Sequence, residues 1–172
     1  MMHSKPLSLS RDSYQISSDK TLLSIHAINT AFDQPWIYWA KSFPEATLQD
    51  IIDSSLCLGL YKTSTDSNDS TQPATAREQI GFARLITDNI TFAYLTDLYV
   101  LPEYQGLGLG GWLIDCIGEV LRCMPELRWA MLRTSSLKSI ETYKKRLGMI
   151  VLPSDPDNGA VMMGRRGDGC LA

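Results

Sequence analysis

Residues 97–111 read DLYVLPEYQGLGLGG, and this stretch decides how the whole chain is interpreted. A strand-like apolar run ends at Pro102, and glycines then occupy positions 106, 108, 110 and 111 before an amphipathic helix. Because glycine has no Cβ, the backbone N–H groups of such a loop can approach a ligand closely, and the helix N-terminus adds positive potential. Loops of this kind bind phosphate or pyrophosphate. The stretch therefore predicts a site for a nucleotide-like cofactor.

Two common phosphate-binding patterns fit the stretch poorly. A Walker loop requires Lys-Ser or Lys-Thr after its last glycine, and no glycine here is followed by either pair. The dinucleotide pattern G-x-G-x-x-G is met by Gly106, Gly108 and Gly111, and Glu126 lies about 20 residues further on. That pattern should begin at the end of the strand, whereas residues 102–105 intervene here. Only one strand–helix–strand unit follows, which is too little for a doubly wound sheet.

Length and composition indicate one globular domain. The chain has 172 residues, of which 44% are hydrophobic and 20% are charged. We expect a flexible N-terminal tail at 1–10, a single domain at 11–166 with a mobile loop at about 62–78, and a C-terminal tail at 167–172. The net charge of -3 provides no basic surplus to neutralise phosphates, which argues against nucleic acid as a partner.

The cysteine spacing and the distribution of apolar residues argue against a metal site and a membrane span. The four cysteines form no C-x-x-C pair and the chain has two histidines, so we expect no metal site. The first residues are polar, and no apolar run approaches the roughly 18 residues of a membrane span. We therefore expect no membrane partner and a cytoplasmic protein, with the nucleus left open.

Periodicity predicts alternating strands and helices along the chain. Residues 62–78 are rich in Thr, Ser, Asp and Asn and predict a loop. A helix at 108–123 is indicated by apolar residues at i, i+3, i+4 and i+7 that form one stripe. A helix is also expected to start at an N-cap in 18–19 and run through Ala31. The remaining predicted helices are 48–54 and 136–147, and the predicted strands are 13–17, 56–61, 80–86, 91–100, 127–132, 149–152 and 160–163.

The glycine stretch resembles the acetyl-CoA signature of the GNAT superfamily of N-acetyltransferases. That signature is [R/Q]-x-x-G-x-[G/A] after a strand that ends in V-x-P, and Gln105, Gly108 and Gly110 occupy its core positions. The resemblance continues through residues 81–84 (GFAR) and on to residues 147–149 (LGM).

A later segment of the family, N-x-x-A-x-x-x-Y, is matched by Ser136, Ser139 and Tyr143. Ser136 replaces the common Asn, and Tyr143 lies five residues before Gly148 where the usual spacing is four. The resemblance spans roughly residues 81–149.

This resemblance implies a fold and an activity. The fold is α/β (α+β), with a mixed, mostly antiparallel sheet of about six or seven strands flanked by about four helices. The activity is transfer of an acetyl group from acetyl-CoA to a primary amine, expected to belong to a small molecule, by direct attack in a ternary complex without a metal. A peptide or protein N-acetyltransferase and a non-catalytic acyl-CoA-binding module are the alternatives. A homodimer is also left open.

The resemblance also assigns residues to the cofactor. Backbone N–H groups of the loop would hold the pyrophosphate, and the Gln105 side chain would add neutral donors where many relatives carry Arg. The end of the preceding strand would pair its backbone with the pantetheine arm, and an N–H of Tyr99 or Val100 would polarise the thioester carbonyl. The expected cofactor-binding residues are Leu98, Tyr99, Val100, Gln105, Gly106, Leu107, Gly108, Leu109, Gly110, Ser136, Ser139 and Tyr143.

Two residues are candidates for proton transfer. Tyr143 would protonate the departing thiolate, the alternative being an ordinary core tyrosine. Asp97 lies in a largely apolar strand, so its carboxylate must be hydrogen-bonded or have a raised pKa. We expect Asp97 to act as a base through water or to anchor the ammonium; an acid satisfied by neighbouring backbone is the alternative.

Three aromatic residues are candidates for the acceptor pocket, in which an aromatic face would contact the substrate ammonium. Core packing would explain them equally well. They are Tyr38, Trp39 and Tyr61.

Overall fold

A six-stranded sheet forms the centre of the protein, and each strand pairs with its neighbour in sequence. The structure is a computed structural model and describes residues 6–64, 76–152 and Met163. All neighbouring strands are antiparallel except the last pair, which is parallel. The strands are β1 Ser8–Arg11, β2 Tyr14–Ser17, β3 Leu56–Ser64, β4 Ala76–Thr87, β5 Phe92–Val100 and β6 Trp129–Leu132.

Four α-helices cover the two faces of the sheet. They are α1 Ile25–Phe32, α2 Glu45–Asp53, α3 Leu109–Arg122 and α4 Leu137–Leu147. The apolar stripe of α3, including Leu109, Leu113 and Ile117, is buried against one face of the sheet. Buried residues of α1 and α2 pack on the other face around Tyr99 and Phe82. The predicted mixed, mostly antiparallel sheet with about four helices is confirmed.

The first helix begins later than the sequence predicts. Asp19 caps only a short 3-10 turn, Lys20–Leu22, and the chain is extended again at Leu23. Ser24 then caps α1 by accepting a hydrogen bond from the N–H of Ala27, 3.1 Å away. Two good capping residues lie close together here, and the later one starts the helix because the apolar residues that reach the core follow it.

Other boundaries also differ from the prediction: α2 begins at Glu45 and β6 at Trp129, whereas the sequence predicts 48 and 127. Ser8–Arg11 pairs with β2, so part of the predicted tail at 1–10 belongs to the sheet. Strands β3 and β4 extend to Ser64 and from Ala76, which leaves residues 65–75 of the predicted loop outside the described residues. Residues 149–152 form no strand. The predicted strand at 160–163 is outside the described residues except Met163, which is not in a strand, and the tail at 167–172 also lies outside them.

The sheet opens between its last two strands, and this opening positions the candidate site. Residues 92–95 of β5 pair with β6, whereas residues 96–100 continue without a strand on that side among the described residues. On the other side β5 stays paired with β4, through a register shift between Phe82 and Arg84. Asp97 adopts a left-handed backbone with φ 50° at this shift. β5 and β6 therefore diverge at the carboxyl half of β5.

The length and hydropathy of the helices show whether one of them could span a membrane. Over the described ranges, none of the helices combines the length and the apolar character needed to cross a bilayer.

Candidate active site

A cavity of about 530 Å³ lies where β5 and β6 diverge. The N-terminal turns of α4 close one side, and an aromatic pair from the segment between α1 and α2 stands at another. Its lining residues are Tyr38, Trp39, Tyr94, Leu95, Thr96, Asp97, Leu98, Leu132, Arg133, Thr134, Ser135, Ser136, Ser139 and Tyr143. The walls combine aromatic rings with many hydroxyl groups, and Asp97 is the only carboxylate among these residues.

The cavity brings together most of the residues that the sequence assigns to chemistry and to the acceptor. Asp97 and Leu98 of β5 and Ser136, Ser139 and Tyr143 of α4 line one space. Tyr99 and Val100 follow Leu98 on β5 with their side chains buried in opposite cores, so only their backbone is available to a ligand.

Tyr61 lies elsewhere, and its assignment to the acceptor pocket is wrong. Its side chain is 1% exposed within β3 and does not line the cavity. A Cβ placed at Gly59 would lie 2.1 Å from the Tyr61 hydroxyl oxygen, so the ring lies across that glycine on the same strand. An aromatic ring that covers a neighbouring strand glycine is a packing arrangement, and it explains why Tyr61 faces the core.

Tyr143 projects from the second turn of α4 into the cavity. Ser136 caps that helix by accepting a hydrogen bond from the N–H of Ser139 at 3.3 Å, which fixes the start of α4 and hence the direction of Tyr143. Burial raises the pKa of the Tyr143 hydroxyl because it disfavours the phenolate. The hydroxyl therefore stays protonated at neutral pH and is able to donate a proton.

Asp97 has a side-chain partner that the sequence analysis missed. Arg84 Nε donates to Asp97 Oδ2 at 2.7 Å, and the two side chains are 17% and 11% exposed. The hydroxyl of Thr96 donates to the other oxygen, Oδ1, at 3.2 Å, and Arg84 Nη1 donates to Ser55 Oγ at 3.2 Å. The available signal was a lone arginine in the apolar run 80–86, since a buried cation requires an anionic partner.

Tyr38 and Trp39 stand at the mouth of the cavity. Their rings meet edge to face with centroids 5.0 Å apart, and the Tyr38 hydroxyl lies 3.1 Å from Ser135 Oγ on the loop after β6. Tyr38 is 61% exposed and Trp39 is 39% exposed, so neither ring is a core residue. The core-packing explanation therefore does not apply to them, and their contact with the acceptor stays a prediction.

The glycine loop follows β5 and leads into α3. Gly106 and Gly108 have φ values of 81° and 76°, which a side chain rarely tolerates. The first hydrogen bond of α3 runs from the N–H of Trp112 to the carbonyl of Gly108 at 3.0 Å, so the N–H groups of Leu109 to Gly111 precede the bonded part of the helix. A Cβ at Gly106 would meet no atom within 4 Å. This open cradle of amide donors fits a pyrophosphate.

Gln105 has a different contact from the expected one. Its Nε2 donates to the carbonyl of Val100 at 2.9 Å, which ties the start of the loop back to the end of β5. The Gln105 side chain thus supports the shape of the loop, and its predicted contact with the phosphates stays a prediction.

Comparison with known proteins agrees with this geometry. A model of the acetyltransferase (GNAT) family matches residues 28–149, well over half of the 172 residues. The chain belongs to the GNAT family of acetyltransferases. The matched region contains the glycine loop, the diverging strands and both proton-transfer candidates.

Several relatives of this GNAT acetyltransferase are similar over most of their length. A candidate acetyltransferase from Gibberella zeae is 39% identical over 150 residues, which cover 84% of each chain. The crystal structure of a candidate GNAT acetyltransferase from Xanthomonas campestris pv. campestris is 32% identical with a TM-score of 0.67, covering 93% of this chain and 97% of that one. Glucosamine-6-phosphate N-acetyltransferase from Arabidopsis thaliana, 13% identical with a TM-score of 0.52, covers 91% of this chain and 100% of its own and shares the fold alone.

GNAT acetyltransferases normally take their acetyl group from acetyl-CoA. The open glycine loop fits the pyrophosphate of that molecule, and the side of β5 that has no further strand among the described residues fits its pantetheine arm. Within residues 6–64 and 76–152 and at Met163, no group of three or more His, Cys, Asp and Glu side chains is arranged to hold a metal ion.

Proposed function

We propose that this GNAT acetyltransferase transfers the acetyl group of acetyl-CoA to the primary amine of a small molecule. One observation carries the proposal: Tyr143, Asp97 and the side of β5 that has no further strand among the described residues line one cavity between β5 and β6. In the reaction a bond forms between the amine nitrogen and the acetyl carbon, and the carbon–sulfur bond breaks. The nitrogen loses a proton and the sulfur gains one.

The chain's backbone would hold the donor. The N–H groups of the loop from Gln105 to Gly111 would receive the pyrophosphate, helped by the positive end of α3. Residues 98–100 of β5, which have no strand on their outer side in the described part of the chain, would pair with the amides of the pantetheine arm as an added strand does. When bound, acetyl-CoA supplies an activated thioester at the cavity. An N–H of Tyr99 or Val100 would then polarise its carbonyl.

Two side chains would move the protons. Tyr143 would donate its hydroxyl proton toward the sulfur, since burial keeps it in the protonated form. Among the described residues that line the cavity, Asp97 is the only carboxylate and none is a histidine. Asp97 is therefore the residue that would receive the amine proton, through a water molecule, while Arg84 stabilises its charge and holds it in place.

Cavity size supports a small acceptor. A volume of about 530 Å³ falls within the range of small-molecule sites, and the mouth is formed by two aromatic rings that can contact an ammonium. Part of this space would be taken by the pantetheine arm, which leaves room for a compact amine. An acceptor peptide would have to insert its amine past Tyr38 and Trp39.

A thiol-release assay tests the proposal. The purified protein and acetyl-CoA are incubated with a panel of amines that includes simple alkylamines, amino alcohols, amino acids, amino sugars and diamines, and in parallel with peptides that carry a free N-terminus or a lysine. Turnover of at least one small amine is expected. Turnover confined to peptides would favour the peptide acetyltransferase. Coenzyme A binding without turnover of any acceptor would favour the binding module.

A further inference from the structure

Arg11 contacts the glycine loop from a distant part of the chain. It ends β1, opposite Tyr14 in the register of the β1–β2 hairpin, so it stands beside the turn. Its Nη2 donates to the carbonyl of Leu107 at 3.3 Å, across 96 positions of sequence. The guanidinium also lies over the Trp112 ring, 5.2 Å from the centroid. One side chain therefore contacts both the loop and the first turns of α3.

The hydrogen bond from Arg11 to the Leu107 carbonyl fixes the orientation of the Leu107–Gly108 peptide group. In a trans peptide the C=O and the following N–H point in opposite directions. Holding the Leu107 carbonyl toward Arg11 therefore turns the N–H of Gly108 to the opposite side of the loop. Gly108 has a left-handed backbone with φ 76°, and a Cβ built there would meet one atom within 4 Å, Arg11 Nη2 at 3.8 Å, so Arg11 is the side chain that borders this peptide.

Charge near the loop gives Arg11 a second effect. The signature position is occupied by the neutral Gln105, whose side chain is bonded to Val100. Arg146 also lies next to α3, beside Gly111, but its Nη1 is paired with Asp115 Oδ2 at 2.6 Å. In the described part of the chain Arg11 has no such carboxylate partner, so its charge acts on the loop.

We propose that Arg11 is a positioning residue for the cofactor loop: it orients the Leu107–Gly108 peptide and adds a positive charge to the loop from the side of the Leu107 carbonyl. The role rests on the proposed function, because it assumes that the loop receives the pyrophosphate of acetyl-CoA. Arg11 belongs to the β1–β2 hairpin, which lies outside the loop's own strand and helix. The hairpin thus contributes to cofactor affinity without contributing to the cavity where acetyl transfer takes place.

Calorimetric titration with coenzyme A tests this role in Arg11→Ala, Arg11→Lys and the unmodified protein. Arg11→Ala is expected to raise the Kd about fivefold, the effect of losing one modest hydrogen bond. The Kd of Arg11→Lys is expected to lie between those of Arg11→Ala and the unmodified protein. Lysine keeps the charge but lacks the planar group that hydrogen-bonds and stacks at the same time. Arg122→Ala is the control, since it removes an equal charge at the far end of α3, where Arg122 pairs with Glu119.

Steady-state kinetics separate positioning from a general structural effect. Arg11→Ala should raise the KM for acetyl-CoA and leave kcat unchanged, and it should leave kcat/KM unchanged with S-acetylpantetheine, a donor without the pyrophosphate. An equal loss with both donors, or an equal loss in Arg122→Ala, would overturn the role of Arg11. A Kd that stays the same in Arg11→Ala would overturn it too. Failure of the unmodified protein to bind coenzyme A would instead contradict the proposed function and, with it, the premise of this role.

Thermal unfolding followed by circular dichroism accompanies each variant. If Arg11→Ala unfolds at the assay temperature, Arg11→Lys decides, since it preserves a long cationic side chain at the hairpin. A Kd for Arg11→Lys that equals that of the unmodified protein would then show that the hydrogen-bonding geometry is irrelevant and would contradict the positioning role.

Discussion

Arg84 on β4 and Asp97 on β5 form an ion pair at the point where the register of these two strands shifts. Phe82 pairs with Tyr99 and Arg84 with Thr96, so β5 carries one more residue than β4 across this interval. Asp97 lies within that bulge with φ 50°, a conformation that costs a residue with a side chain about 1–2 kcal/mol. The pair with Arg84 holds Asp97 in this bulge, next to the point where β5 and β6 diverge.

Replacing Asp97 tests its two proposed roles, as the partner of Arg84 and as the proton acceptor. Asp97→Asn is expected to lower the free energy of unfolding by about 3 kcal/mol, because it leaves the Arg84 guanidinium partly buried without its anion. It is also expected to lower kcat by about 100-fold, because an amide does not accept the amine proton. Urea unfolding and the thiol-release assay measure the two effects.

The double variant Asp97→Asn/Arg84→Met provides the control. Removing both charges is expected to recover much of the stability, since no unpaired ion remains. Activity should stay low if Asp97 receives the proton. Recovery of activity together with stability would show that Asp97 serves only to hold the bulge.

Replacement of Tyr143 tests the proposed acid. Tyr143→Phe removes the hydroxyl and keeps the ring, so kcat is expected to fall by about 100-fold while the KM for acetyl-CoA changes little. Because burial raises the pKa of Tyr143, the unmodified enzyme should keep its activity up to a pH above the ordinary tyrosine value and lose it as the phenolate forms. That basic limb should be missing from the pH profile of the variant.

Tyr14 offers a matched control for this experiment. It is a half-buried tyrosine on β2, outside the cavity lining. Tyr14→Phe should leave both kcat and the basic limb as they are. A Tyr143→Phe enzyme with unchanged kcat would mean that Tyr143 is a packing residue.

Local patterns allowed the helices and most strands to be predicted. The stripe of α3 repeats every three to four residues and faces one core, so its sequence contains enough information to define it. The apolar run 149–152 also fits a strand pattern, yet Ile150 is 73% exposed and Val151 is 66% exposed there. A strand needs a neighbouring strand to pair with, and the local sequence pattern does not show whether that neighbour is present.

The residues of the candidate site were predictable where their position is set within one loop or helix. They were less predictable where their position depends on how two strands pair. Gly108, Ser136 and Tyr143 have the expected positions because a loop and a helix start fix them locally. Tyr61 and Tyr38 both lie in apolar or aromatic segments, and the sequence does not show that Tyr61 is buried on β3 whereas Tyr38 is exposed between α1 and α2. The partner of Asp97 was missed because the pairing depends on a one-residue bulge, which shifts every later contact between the strands.

Gly108→Val tests the position of the cofactor loop. Valine is strained at φ 76° and places a branched side chain at the proposed pyrophosphate site, so coenzyme A binding should be lost. Gly148→Val is the matched control, because Gly148 has a similar φ of 66° with nothing within 4 Å of its Cβ position. Both variants should lose similar stability, and only Gly108→Val should lose affinity in calorimetry. Retained affinity would show that the pyrophosphate lies elsewhere.

The buried thiol of Cys57 should make the fold sensitive to alkaline pH. Burial raises its pKa from 9.0 to about 11, since the thiolate is disfavoured inside the core beside α2. The folded state therefore holds a proton that the unfolded chain releases above pH 9, and stability is lost as pH rises from 9 toward 11. Between pH 8 and pH 10 this group alone should lower the free energy of unfolding by about 1 kcal/mol. Cys57→Ala should reduce the pH dependence in urea unfolding by that amount, whereas Cys123→Ala, at an exposed thiol, should leave it unchanged. Equal slopes in all three proteins would show that the Cys57 thiol titrates alike in the folded and unfolded states.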